Sequence, residues 1–223
     1  MIHKEVYTKI SKALSEKNVQ LIAVSKTKTT EDIKELYDLG HRDFGENYVQ
    51  ELADKQALLP KDIRWHFIGH LQSNKVKYIT PFVHLIQSVD SLKLMKEINK
   101  QAVKHSREIK CLLQIHIADE ETKFGFDEPE LETLMNPNLS ELRELKNVRI
   151  TGLMGMASLT DDENKIRTEF KKLKSIFDIF AQGQTPNSKP ETLSMGMSSD
   201  YKIAIEAGST MVRIGSLLFG ERK

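Results

Sequence analysis

The chain has 223 residues, of which 39% are hydrophobic, enough to fill a core in one domain or two. Its 33 basic and 32 acidic side chains leave a net charge of +1, which gives no argument for nucleic acid or an anionic membrane as a partner. The one cysteine, Cys111, excludes an internal disulfide framework and fits a reducing compartment; at the head of CLLQIHI it reads as a small core residue.

The N-terminal MIHKEVYTKISKALSEK is charged and amphipathic, with no apolar signal core, and predicts a helix over about 3–17. No run approaches the length of a membrane span, so a soluble, cytoplasmic chain is expected. Beyond it, strand-like and helix-like segments alternate. Strands are expected at 21–25, 42–45, 64–68, 83–88, 109–117, 148–154, 191–194 and 211–214. Helical patterns fall between them at 30–39, 47–58, 73–79, 91–105, 128–135, 162–181 and 199–207. Thr29 or Thr30, Ser91, Asp161 or Asp162, and Ser198 or Ser199 can cap four of these helices, and Gly40 and Gly208 can close two. The acidic stretch from Asp127 to Leu145 reads as a peripheral helix–loop–helix. GQTPNSKP (183–190) joins a helix to the seventh strand rather than two domains. Eight strands separated by helices predict a single α/β domain over 1–223, a (β/α)8 TIM barrel with an extra N-terminal helix. A doubly wound open sheet is the competing arrangement.

Lys26 closes LIAVSK (21–26). The strand period of two puts Ile22, Val24 and Lys26 on one face, which suits the inside of a barrel, and Leu21, Ala23 and Ser25 on the other. A partly desolvated amine loses proton affinity, so a lysine at this place can capture a carbonyl compound as a Schiff base. The plainer reading is a surface lysine just past a strand. Lys28 has the same parity but lies beyond the strand.

The last two strands, ETLSM and MVRIG, are followed by GMSSD and SLLFGER. Loops after the last two strands of a barrel often bind phosphate through backbone N–H groups. Gly196, Ser198 and Ser199 in one loop, and Gly215 and Ser216 in the other, have the right chemistry; they also suit tight turns and caps. Arg213 shares a face with Met211. Inside the barrel it needs a partner, such as a ring nitrogen; on the outside it would pair with a helix carboxylate.

The segments AVSKTK (23–28), FGENYVQE (44–51), WHFIGHLQSNK (65–75), ETKFGF (121–126), GLMGM (152–156) and SMGMSSDYKIAIEAGSTMVRIGSLLFGER (194–222) resemble those of pyridoxal phosphate homeostasis proteins. The barrel of that family is similar to the N-terminal domain of alanine racemase, the fold-type III arrangement of pyridoxal 5′-phosphate (PLP) proteins. The resemblance implies that Lys26 holds PLP as a Schiff base. It implies a phosphate cradle of Ser198, Gly215 and Ser216 with the backbone at Met197 and Ser199. Arg213 would face the pyridine nitrogen, Asn47 and His66 would line the pocket, and Met195 or Met154 would pack against the ring. His116 departs from the asparagine of many relatives and is carried over only as a strand residue. Lys123 would be a gate or transient PLP acceptor, or a solvated loop charge. The seven histidines form no spaced ligand cluster, and no metal is expected.

A donor-only guanidinium keeps the ring nitrogen unprotonated and makes PLP a weaker electron sink. Racemisation needs a proton donor or acceptor on each face of the substrate Cα. In alanine racemase the opposite-face tyrosine comes from a further β-domain and partner subunit. A sequence ending at Lys223 leaves no room for that domain, and its five tyrosines sit in or beside predicted helices. The expectation is a monomeric PLP carrier or buffer that hands the cofactor to apo-enzymes without robust turnover. The alternatives are an amino-acid racemase with an unrecognised second base, and a Schiff-base aldolase acting on a sugar phosphate. The aldolase would need the same lysine and phosphate loops but no ring-facing Arg213.

Overall fold

The computed structural model describes residues 2–118, 124–136, 141–183 and 187–220. Strands β1 (Gln20–Val24), β2 (Asp43–Glu46), β3 (Arg64–Phe67), β4 (Leu85–Val89), β5 (Ile109–Gln114), β6 (Val148–Met154), β7 (Ser188–Ser194) and β8 (Met211–Ile214) pair in parallel and in sequence order. The ladder from Gln20↔Met211 to Ala23↔Ile214 then joins β8 to β1 and closes the cylinder. Closure excludes the open sheet. The fold is a (β/α)8 barrel.

Around it lie α1 (Lys4–Ser15), α2 (Thr30–Asp38), α3 (Val49–Leu58), α4 (Val76–Ile79), α5 (Leu92–Lys104), α6 (Glu128–Met135), α7 (Glu163–Gln182), α8 (Tyr201–Glu206) and α9 (Ser216–Phe219). The extra helix α1 buries Tyr7, Ile10 and Leu14 along one stripe, and the His3 N–H donates to Leu218 O, tying the two chain ends together. Hydroxyl and carboxylate caps fall where the sequence offers them: Thr29 accepts from Asp32 N, Ser91 from Leu94 N, and Asp162 from Asn164 N and Lys165 N. The exception is α8. It starts at Tyr201, with Asp200 rather than Ser198 or Ser199 before its first turn. The Asp200 carboxylate turns back to accept the Met197 N–H at 2.5 Å, which leaves the Ser198 hydroxyl for another partner.

The alternation along each strand sorts side chains into two layers. Leu21, Ala23, Phe44, Phe67, Ile86, Leu113, Leu153, Leu193, Val212 and Ile214 point outward and pack under the helices. Ile22, Leu85, Leu112, Met154 and Met211 point inward and form a separate small cluster. Burying each of these side chains larger than Ala23 contributes roughly 1.5–3 kcal/mol, so both layers stabilise the closed form. Polar side chains at other inward positions, among them His66, Gln87, Ser194 and Arg213, lead to the site.

Candidate functional site

At the carboxyl ends of the strands lies a cavity of about 330 Å³, within the range of small-molecule pockets. Lys26 from the end of β1, Asn47 after β2, Met197, Ser198 and Ser199 after β7, and Arg213, Gly215 and Ser216 from β8 and its loop all line it. So do Lys28, the lysine that competes with Lys26 by parity, and Val24, Ile68, Met156 and Gly220, which the sequence did not single out as pocket residues.

Strand β1 ends at Val24, two residues before Lys26, which stands on a turn closed by Lys28 N donating to Ser25 O. Lys28 Nζ donates to Phe219 O and Gly220 O, at 3.1 and 3.2 Å, and so anchors the carbonyl end of α9 beside the cavity. The two anion-type loops are joined directly: the Gly215 N–H donates to Ser198 Oγ at 3.1 Å. A methyl group at Gly215 would lie 3.3 Å from both Cβ and O of Val24, so glycine lets this loop sit against the end of β1. Asn47 Oδ1 is buried and accepts no hydrogen bond from the described residues. The neighbouring Gly69 has no room for a side chain, because a Cβ there would lie 2.2 Å from Asn47 O.

Arg213 points inward and is 4% exposed. Nη1 donates to Ser194 O and Oγ and Nη2 to Gly155 O, which takes three of the five N–H groups of a guanidinium. Burial pushes its pKa down to about 10, with the Asp200 carboxylate opposing, so it is charged at neutral pH.

From Arg213 a directed chain of donors crosses the barrel interior. Arg213 donates to Ser194, Ser194 Oγ to Gln87 Oε1 at 2.7 Å, and Gln87 Nε2 to His66 Nδ1 at 3.2 Å. His66 Nε2 then donates to Asp43 Oδ1 at 3.1 Å, and Asp43 also accepts from Nε and Nη2 of Arg64. Accepting at Nδ1 while donating at Nε2 requires a neutral imidazole. Burial agrees, pushing the His66 pKa down.

Three expected pocket residues therefore lie elsewhere. His66 belongs to this interior chain, below the cavity, because strand parity aims it at Gln87 and Asp43. Met195 points outward into the helix-covered layer, since it follows the inward-facing Ser194 by one residue. Met154 lies in the inner apolar cluster, and Met156, packed against that cluster, reaches the cavity, as Met197 does. Lys123 lies outside the described residues. Gln87 and Ser194 were missed, yet a polar side chain at an inward position of a buried strand was the available signal. Among the described residues no group of three His, Cys, Asp or Glu side chains is gathered for a metal ion.

Residues 4–223 match the family described as the N-terminal domain of alanine racemase, the class of barrel that the fold and the placing of the cavity define. The chain is 42% identical over 205 residues to a protein of Aquifex aeolicus named pyridoxal phosphate homeostasis protein, covering 92% of this chain and 87% of that one. It is 39% identical over 224 residues to a protein of the same name from a Synechocystis strain, with complete coverage of both. The solved structure of PipY from Synechococcus elongatus, described with PLP bound, superposes with a TM-score of 0.85 at 35% identity, covering 96% of this chain and 100% of that one. This chain belongs to the pyridoxal phosphate homeostasis protein family.

Proposed function

We propose that this protein binds pyridoxal 5′-phosphate covalently at Lys26 and serves in PLP homeostasis, buffering the cofactor and delivering it to apo-enzymes without robust turnover of its own. The observation that carries the reading is the sharing of one cavity by Lys26, Arg213 and the Ser198 and Ser216 turns. The residues fit the group: a buried Asn47 oxygen without a donor among the described residues, two hydroxyl-bearing loops held together, and a charged donor lining the same cavity as an amine.

When bound, the cofactor supplies an aldehyde carbon, to which an amine adds with loss of one water, and a conjugated ring that can accept electrons. Lys26 would supply the amine. The Ser198 and Ser216 hydroxyls, with the backbone at Ser199, would hold the phosphate, while the Met197 and Gly215 N–H groups, engaged by Asp200 and Ser198, fix the shape of the two loops. Arg213, which can only donate, would stand at the ring nitrogen and keep it unprotonated, which suits storage better than carbanion chemistry. Met156 and Ile68 would give the ring its apolar wall.

The reading as a carrier rests on the cavity lining. Among the described residues it contains two lysines but no tyrosine, histidine, cysteine or carboxylate to hold or move a proton on a second face of a substrate. The relatives, too, are named for homeostasis rather than for a reaction. No described helix is long and apolar enough to cross a membrane. We take the working form to be a monomer.

Purified protein mixed with PLP should show an absorption band at ~420 nm that is absent in Lys26→Ala, and borohydride reduction should fix the adduct on the peptide holding Lys26. An adduct mapped to Lys28 instead would overturn the assignment. Racemisation of any amino acid with kcat above roughly 1 s⁻¹ would overturn the carrier reading.

A further inference from the structure

Thr27, the residue directly after Lys26, has φ +63°. A β-branched residue in the left-handed region is a genuine outlier, because its Cβ crowds the backbone there. Asn or Gly would sit in this turn with less strain. The conformation persists only if its surroundings impose it.

Those surroundings are specific. The Thr27 N–H donates to Glu51 Oε1 at 2.6 Å. On the other side of Lys26, Ser25 O accepts from Lys55 Nζ at 2.7 Å, and the Ser25 hydroxyl donates to Glu46 Oε1 at 2.6 Å. Lys55 Nζ also donates to Glu46 Oε1 at 2.8 Å and to Glu51 Oε1 at 2.7 Å. The three protons of its ammonium are thus all used, and its side chain is 7% exposed against 0% for Glu46. Glu51 and Lys55 stand four residues apart on α3, so one helix face holds both neighbours of Lys26. None of these three charged residues lines the cavity.

We propose that Glu51 and Lys55 are positioning residues: by clamping Ser25 O and Thr27 N they force the left-handed turn and aim the Lys26 amine into the cavity. The inference rests on the reading of Lys26 as the capturing residue, but the clamp itself is a property of the free protein.

The test compares wild type with Glu51→Ala, Glu51→Gln and the double variant Glu51→Ala/Thr27→Gly, each checked for folding by circular dichroism and thermal midpoint. Two quantities are read: the rate at which PLP is fixed on Lys26 by borohydride, and hydrogen exchange at the amide of residue 27. Glu51→Ala should slow capture about tenfold, since a displacement of roughly 1 Å can cost up to ~10² in rate. Its residue 27 amide should exchange at least ~10-fold faster. Glu51→Gln keeps an acceptor and should stay near wild type. In the double variant, glycine adopts the turn without strain and should restore capture while the amide stays fast, an outcome that a merely structural role for Glu51 would not produce. A folded Glu51→Ala that captures at the wild-type rate overturns the proposal, as does a slow one that neither glutamine nor Thr27→Gly rescues. If wild type forms no adduct at Lys26, the cofactor reading fails separately. Equal amide exchange in wild type and Glu51→Ala would sink the clamp whatever the cofactor result.

Discussion

The hydroxyl of Ser198 receives the backbone N–H of Gly215 at 3.1 Å, so the loops after β7 and β8 are held together by one side chain. Removing it in Ser198→Ala should cost about 1 kcal/mol of stability, the net worth of an ordinary hydrogen bond. Its larger effect falls on ligand binding. Affinity for PLP should drop about tenfold, one charge-assisted hydrogen bond, while affinity for pyridoxal, which has no phosphate, should hardly change. Titration calorimetry with both compounds decides; an equal loss for the two would remove Ser198 from the phosphate contact.

Arg213→Met replaces the buried guanidinium with an apolar chain of comparable length. Desolvation of the charge is relieved, but Ser194 Oγ and Gly155 O lose their donor. The net change should be a loss of about 1–3 kcal/mol in denaturant unfolding. The absorption band of the PLP adduct should shift, since the group at the ring nitrogen sets its electronics. An unaltered spectrum would show that Arg213 does not face the ring.

Gly69→Ala and Gly40→Ala separate crowding from backbone strain. At Gly69 a methyl group would meet Asn47 O at 2.2 Å, so strand-end backbone must move. A loss of at least ~3 kcal/mol is expected, with weaker PLP binding because Asn47 lines the cavity. At Gly40, with φ +95°, nothing lies within 4 Å of a Cβ. Only the left-handed backbone is strained there, for about 1 kcal/mol and no change in binding. Similar effects on binding from both would refute the distinction.

Acid should destabilise the protein through its buried histidines, although burial raises the pKa of Glu46 and Asp200 and uptake of protons there opposes the loss. Burial pushes the pKa of His41 and His66 down, and that of His84 down to about 4. The unfolded state, with histidine near ~6.5, then binds more protons in between. Stability from these groups is full above the unfolded value and is lost as pH falls toward the folded values. The thermal midpoint should therefore fall between about pH 7 and pH 4.5, and His84→Asn should flatten part of the slope. Below that range Asp43 adds to the loss. Burial opposes its ionisation, but hydrogen bonds from Arg64 and His66 prevail and hold its carboxyl well below the usual range. A midpoint that stays constant to pH ~4.5 would contradict the placement of the three imidazoles.

Alternation of apolar strands with amphipathic helices was enough to count the β/α units and to put Ile22 and Met211 on inward faces, because a strand's period of two is a local property. Motif residues such as Lys26, Ser198 and Arg213 could be singled out for the same reason: each sits at a strand end that the sequence marks. Closure of β8 on β1 was not local, and only the paired backbones decide it. Nor could the sequence say that Ser198 would spend its hydroxyl on Gly215, since that required Asp200 to take over the start of α8. Depth along the barrel axis was equally hidden: His66 and Arg213 share inward parity, but one lies inside the interior chain and the other reaches the cavity. Parity is set by neighbouring residues, whereas depth, partners and the clamp on Lys26 are set by segments far apart in the chain, which meet only once the cylinder is closed.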